Sequence, residues 1–167
     1  MISGKDINKK EVDILKNFEI YSTKTKYNNS MSYMRRILAF MYYIIKSIII
    51  GIKLKEIDIV FATSTPLTIA LSGYILSKIH RAKFIFEVRD VWPDIPIGLG
   101  VLKNKLLIAL LKRYEYFIYK KADHIIVASK GMYNNLIDKG VKGEKLSIIT
   151  NMANLYLADS IKKVKRK

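Results

Sequence analysis

The chain has 167 residues, half of them apolar and 26% charged, which describes one domain able to bury a core and excludes a disordered polymer. It has no cysteine, so disulfides and thiolate metal sites are excluded and a reducing compartment fits. Lys and Arg outnumber Asp and Glu by 30 to 14, a net charge of +16, which favours anionic partners such as nucleic acid, phosphates or acidic lipid headgroups.

Part of the lysine excess is compositional, because Ile, Lys and Asn are abundant together, as an A/T-rich genome produces. The opening residues, Met1 to Asp6, lack the apolar core of a signal peptide, and residues 1–17 are polar and weakly patterned. Alternation over Phe18 to Thr23 predicts a short strand, and Asn28-Asn29-Ser30 a loop into a helix from Ser32 to Leu54. A buried strand follows at Asp58–Thr63. Thr65-Pro66 then opens a helix running to Ile79, with Thr as N-cap and Pro at the first helical position. Phe84–Val88 is the next buried strand, and Arg89–Gly100 a loop. A helix over Lys103–Lys121, a strand over Ile125–Ala128, a helix over Gly131–Lys139 and a strand over Leu146–Thr150 complete the pattern. Strands alternating with helices of this length predict βαβ units: an α/β, Rossmann-like parallel sheet with helices on both faces. The tail from Ile161 is a basic run.

On the helix over 32–54, Arg35, Tyr42, Lys46 and Lys53 fall on one narrow stripe, and nearly all the remaining circumference is apolar. Lys46 interrupts the apolar run, which is shorter than the ~20 residues a bilayer crossing needs. Two readings remain: packing against the sheet, or partial immersion among headgroups with Arg35, Lys46 and Lys53 facing phosphates. The arc is wider than one sheet face can cover.

Chemistry concentrates where buried strands end, because in open α/β sheets ligands bind beyond the carboxyl ends of the strands. Ser64 and Thr65, with the N–H groups of the following helix, can hold an anion or act as plain N-caps, and Ser129 at the next helix start offers the same two uses. The strand Phe84–Val88 runs into Arg89, Asp90, Trp92, Pro93 and Asp94. Arg grips phosphate or carboxylate bidentately, Asp accepts from sugar hydroxyls, and Trp stacks on a sugar ring. The alternative is an internal Arg89–Asp90 or Arg89–Asp94 pair closing the loop, with Trp92 packed beneath. Glu87, inside the strand, is expected to pair with a basic neighbour. His80 and His124 are the only histidines, at a helix end and a strand start, and no metal site is expected from them. There is no Walker loop, no Ser/His/Asp arrangement and no G-x-G-x-x-G, so no cofactor is called for.

Several blocks carry a resemblance: Asp58 to Thr68, Phe84 to Gly100 with its Glu-Val-Arg-Asp-x-Trp-Pro-Asp core, Tyr119 to Ile126, Ser129 to Met132, and Ile148 to Asn151. In order and spacing over residues 33–155 the chain resembles the family-four glycosyltransferases of the GT-B fold, nearest the bacterial members that build surface polysaccharides and capsules. The resemblance implies the N-terminal, acceptor-side half of a two-domain enzyme over residues 1–155, its first strand missing. Residues 156–167 would form a basic tail at the start of an absent C-terminal half. It also implies a polyprenyl-linked acceptor at the inner face of the cell membrane, with the nucleotide sugar held by that other half. Arg89, Asp90, Trp92, Asp94, Ser64, Thr65 and Ser129 would line the acceptor side, with no catalytic base assigned. The basic stripe of Arg35, Lys46 and Lys53 would meet membrane phosphates. The alternative is a non-catalytic membrane-surface subunit that recruits a separate donor-binding chain. Nucleic-acid binding ranks last, since no recognition helix or aromatic-interleaved basic strand supports it.

Overall fold

Four parallel strands are fixed by their apolar side chains. The computed structural model describes residues 2–3, 19–26, 28, 30–64 and 66–150, so the tail, Phe18, Thr65 and Asn151 lie outside the described residues. β1 (Ile2–Ser3) and β2 (Tyr21–Ser22) pair in parallel as a two-stranded sheet. The chain continues through α1 (Tyr33–Ile52), β3 (Ile59–Thr63), α2 (Ile69–His80), β4 (Lys83–Val88), a short α3 (Asp94–Gly98) and α4 (Lys105–Lys121). It finishes with β5 (His124–Val127), α5 (Lys130–Asp138), one 3-10 turn at Gly143–Lys145 and β6 (Leu146–Ile148). The main sheet has the order β3-β4-β5-β6, every pair parallel.

Three successive crossovers step across this sheet in one direction. Because such connections are right-handed, they place their helices on the same face. The core shows that placement: Ala62, Phe84, Phe86, Val88, Ile125, Val127 and Leu146 from one sheet face meet Ala70 of α2, Ile118 and Tyr119 of α4, and Leu136 of α5. The Rossmann-like α/β sheet is present, and among the described residues the helices that reach its core sit on that one face. On the other face Ile59 and Phe61 are exposed, and Ile85, Glu87, His124 and Ile126 are half-buried. Gly73 lets α2 approach closely, since a Cβ there would lie 2.8 Å from the Ala62 Cβ and 2.9 Å from Phe84.

Three local expectations need correction. α2 begins at Ile69 rather than at Pro66. Residues 66–68 form a tight turn whose carbonyls accept from Ile69, Ala70 and Leu71, so Pro66 starts a turn that only then becomes an α-helix. The loop after β4 is not wholly irregular, because α3 lies within it. α1 does not lie flat on the main sheet. Its buried face rests on α2, where a Cβ at Gly51 would meet Leu76 at 2.5 Å and His80 Nε2 lies 2.8 Å from the Gly51 carbonyl. These contacts join the C-terminal ends of α1 and α2.

The opposite face of α1 is open. Met34, Leu38, Met41, Ile45, Ile49 and Ile52 are exposed there, together with Arg35, Lys46 and Lys53. The Lys46 ammonium sits 5.6 Å from the Tyr42 ring centre, so the stripe read from the sequence exists as a surface. No helix among the described residues is long and apolar enough to cross a membrane.

Candidate active-site rim

The carboxyl ends of β3, β4 and β5 stand side by side, and the first two are tied together. The Arg89 backbone N–H donates to Ser64 Oγ at 2.8 Å, and the Ser64 N–H donates to the Glu87 carbonyl at 2.8 Å. Ser64 is only 4% exposed, so its hydroxyl is a built-in tie between strand ends. Register places Val88 opposite Val127, which brings the Ala128-Ser129 corner of β5 alongside Arg89. Ser129 caps α5, its Oγ accepting the Met132 N–H at 3.3 Å. Thr65 lies outside the described residues.

Arg89 and Asp90 are exposed at this rim, and Trp92 is partly so. The Trp92 N–H donates to the Asp90 carbonyl at 3.0 Å, forming a tight corner that turns the chain toward α3. A guanidinium, a carboxylate and an indole thus share one short segment next to Ser64. This set suits a polyhydroxylated or anionic ligand: hydroxyls for Asp90, phosphate or carboxylate for Arg89, a ring face for Trp92. Glu87, expected to pair with a basic neighbour, has no ion-pair partner among the described residues; its half-buried carboxylate lies on the open sheet face.

Asp94 points a different way. Its carboxylate lies 2.7 Å from the Lys139 ammonium and accepts from Asn135 Nδ2 at 3.3 Å. Partial burial pushes this carboxyl up, but the Lys139 and Asn135 hydrogen bonds and the nearby Lys112 charge outweigh it and hold the group below the usual carboxylate range. Lys139 also lies 2.7 Å from Glu115, which is 3% exposed and accepts from Tyr119 OH at 2.9 Å. Burial pushes Glu115 up despite Lys139 and Tyr119. Burial and the Glu115 charge likewise push the Tyr119 phenol far up. Asp94 therefore anchors α3 to α4 and α5 and holds the end of the rim loop.

The histidines take separate partners: His80 the Gly51 carbonyl, His124 the Ser147 hydroxyl at 2.9 Å. Among the described residues no group of three or more His, Cys, Asp or Glu side chains could hold a metal ion.

A family-wide sequence profile, Glycosyltransferase Family 4, matches residues 14–156 and so takes in the whole main sheet and its rim. The chain belongs to glycosyltransferase family 4. The curated "Probable glycosyltransferase WbjE" of Pseudomonas aeruginosa is 29% identical over 97 residues, covering 58% of this chain and 24% of that protein. In a family-4 domain, the sheet and its helices are the Rossmann-like half of a GT-B fold. The family match brings no assignment for Lys139, Glu115, Tyr119 or Asn135, which support the rim from behind. A signal for Glu115 was present in the sequence: it occupies the apolar stripe of α4 with Ile118 and Tyr119, where a carboxylate needs a partner.

Proposed function

We propose that this chain is the acceptor-side domain of a glycosyltransferase that moves a sugar from a nucleotide sugar to a lipid-linked saccharide in surface polysaccharide synthesis. One observation carries the reading: the Ser64–Arg89 hydrogen bond joins two strand ends at which Arg89, Asp90 and Trp92 stand exposed, inside the family-matched residues. In this reading Arg89 and Asp90 hold the acceptor's phosphate or hydroxyl groups, Trp92 stacks on its sugar, and Ser64 and Ser129 keep the corners in place. Asp94 acts through the loop rather than by contact. A second domain, in the same polypeptide or a partner chain, holds the nucleotide sugar. The test is acceptor-dependent transfer by the assembly of both halves. Arg89→Ala and Asp90→Ala are each expected to lower turnover by about tenfold or more, the size of a lost charge-assisted hydrogen bond. Unchanged turnover in both removes these residues from the proposal.

The open face of α1 supports a companion reading, contact with an anionic membrane on its cytoplasmic side, and with it the possibility of a recruiting subunit without catalysis. Exposed Met34, Leu38, Met41, Ile45, Ile49 and Ile52 would enter the headgroup region while Arg35, Lys46 and Lys53 meet phosphates. Between Lys24 and Lys55 there is no acidic residue, so nothing on this helix repels such a surface. Ile45→Glu with Ile49→Glu should abolish flotation with anionic vesicles, and parental flotation by that variant would count against the contact. Vesicle binding without transfer by the complete assembly would favour the recruiting subunit.

A further inference from the structure

A pocket of about 410 Å³ lies between the segment that follows β2 and the first turns of α1, built from none of the rim residues. Its volume falls within the range of small-molecule sites. Met31, Leu38, Ala39 and Tyr42 give it apolar and aromatic walls, and three cations, Lys24, Lys26 and Arg35, share the lining. None of the three makes an ion pair among the described residues. The chain has no acidic residue between Lys24 and Lys55, so nothing in this stretch neutralises them.

The surrounding backbone is held in place. β1 and β2 are parallel, and the lining segment leaves the carboxyl end of β2, the end at which parallel strands present ligand sites. Ser22 Oγ accepts the Lys24 N–H at 3.1 Å, and the buried Thr23 hydroxyl lies 2.7 Å from Thr25 Oγ1. Lys24 has a φ of 51°, in the left-handed region that residues with a side chain rarely occupy. On the opposite wall, Arg36 Nε donates to the Met31 carbonyl at 3.0 Å and fastens the entry to α1. The first turn of α1 carries no acidic residue, so the positive end of its dipole adds to the Arg35 charge.

Cations gathered over apolar walls suit a molecule that is anionic at one end and apolar at the other. A phosphate monoester carries close to two charges and three strong acceptor oxygens, enough to engage several cations at once. We infer that this pocket binds a soluble phosphate monoester with an aromatic or apolar body, at a site separate from the candidate acceptor rim. Lys24, Lys26 and Arg35 meet the phosphate, while Leu38, Ala39 and Tyr42 meet the body. The volume accommodates that body, so the ligand needs no bilayer to bury it. The inference does not rest on the rim reading. It shares Arg35 and Leu38 with the membrane-contact reading of α1, and the experiment separates the two.

The test is calorimetric titration of the full chain at physiological salt with naphthyl phosphate. Inorganic phosphate, which lacks the body, and naphthol, which lacks the charge at neutral pH, should each bind about tenfold or more weakly. Lys24→Gln with Lys26→Gln should weaken naphthyl phosphate by about tenfold or more, the size of a lost charge-assisted hydrogen bond. Ala39→Leu, which fills one wall, should weaken naphthyl phosphate and leave inorganic phosphate unmoved. Both variants should keep the parental circular dichroism, and Ile45→Glu with Ile49→Glu, at residues outside the lining, should still bind the ligand. Equal affinity for naphthyl phosphate and inorganic phosphate would overturn the inference, because bare charge would then explain the binding. Parental affinity in the Lys24/Lys26 variant, or no binding by the parent chain, would overturn it as well. Binding of phosphatidic acid in phosphatidylcholine vesicles without binding of the soluble ester would give the pocket to a lipid and sink the soluble-ligand reading.

Discussion

Ser64 and Arg89 meet through one 2.8 Å hydrogen bond, from the Arg89 backbone N–H to the Ser64 hydroxyl oxygen, one residue beyond the end of each strand. Parallel strands have no short turn to hold their ends in register. Here a buried side chain does it, where β3 and β4 stop pairing through their backbones. The arrangement also explains why Arg89 leaves the sheet with its guanidinium outward: its amide is held on the Ser64 side, and the strand ends there.

Ser64→Ala should therefore destabilise the domain by about 1 kcal/mol, the cost of losing a part-buried hydrogen bond. The effect should be local. Amide exchange at Arg89 should accelerate while exchange in β5 stays slow. Parental exchange at Arg89 would mean that the bond holds nothing.

Lys139 occupies the junction of α3, α4 and α5, 2.7 Å from both Asp94 and Glu115. Removing it leaves a carboxylate buried without its counter-charge. Lys139→Met should lower unfolding free energy by about 3 kcal/mol. Adding Glu115→Gln to that variant should recover part of the loss, because a neutral amide no longer needs the ammonium. A double variant as unstable as Lys139→Met alone would show that packing, not charge, is what Lys139 supplies.

The elements that repeat a local period were legible from residues alone. The apolar runs at Ile59–Thr63, Lys83–Val88 and His124–Val127 are strands, and the charged exit at Arg89–Asp90 is a rim, because it follows directly on Val88, the last paired residue of β4. What stayed hidden is non-local. Asp94 and Lys139 are 45 positions apart, and no spacing rule announces that α5 folds back onto α3. Asp94 therefore reads in sequence like Asp90, although its carboxylate is held by Lys139 behind the loop. The start of α2 was hidden for a different reason: Thr-Pro is a helix-opening signal that a tight turn satisfies equally well, and the hydrogen bonds of 66–71 decide between them. The width of the apolar arc on α1 showed that one neighbour could not cover it, but not that the neighbour is α2.

Gly73→Ala should cost about 1–3 kcal/mol despite alanine's higher helix propensity. The added Cβ would meet the Ala62 Cβ at 2.8 Å and a Phe84 ring carbon at 2.9 Å, both parts of the packed core. Ala62→Gly in the same chain should restore some of the loss by opening one side of the contact. A thermal midpoint at or above the parent's in Gly73→Ala would show that α2 can shift away from the sheet without cost.

Asp123 gives the clearest pH signature. Its carboxylate accepts the Phe84 N–H at 2.9 Å with Lys83 at 3.4 Å, and the backbone hydrogen bond, which outweighs the opposing effect of burial, holds it below the usual range with help from Lys83 and Lys78. A carboxyl depressed in the folded state contributes stability above the unfolded-state pKa, about 3.9 for Asp, and loses it as pH falls through the folded-state value. Asp123→Asn keeps an oxygen to accept the Phe84 N–H and removes the charge. The parent should therefore be more stable than this variant at neutral pH, and the gap in denaturant midpoint should close as pH drops below about 4. The gap should also shrink in high salt, because half-exposed charges are screened. A gap that is constant across the acid range would assign the effect to geometry and not to the carboxylate's charge.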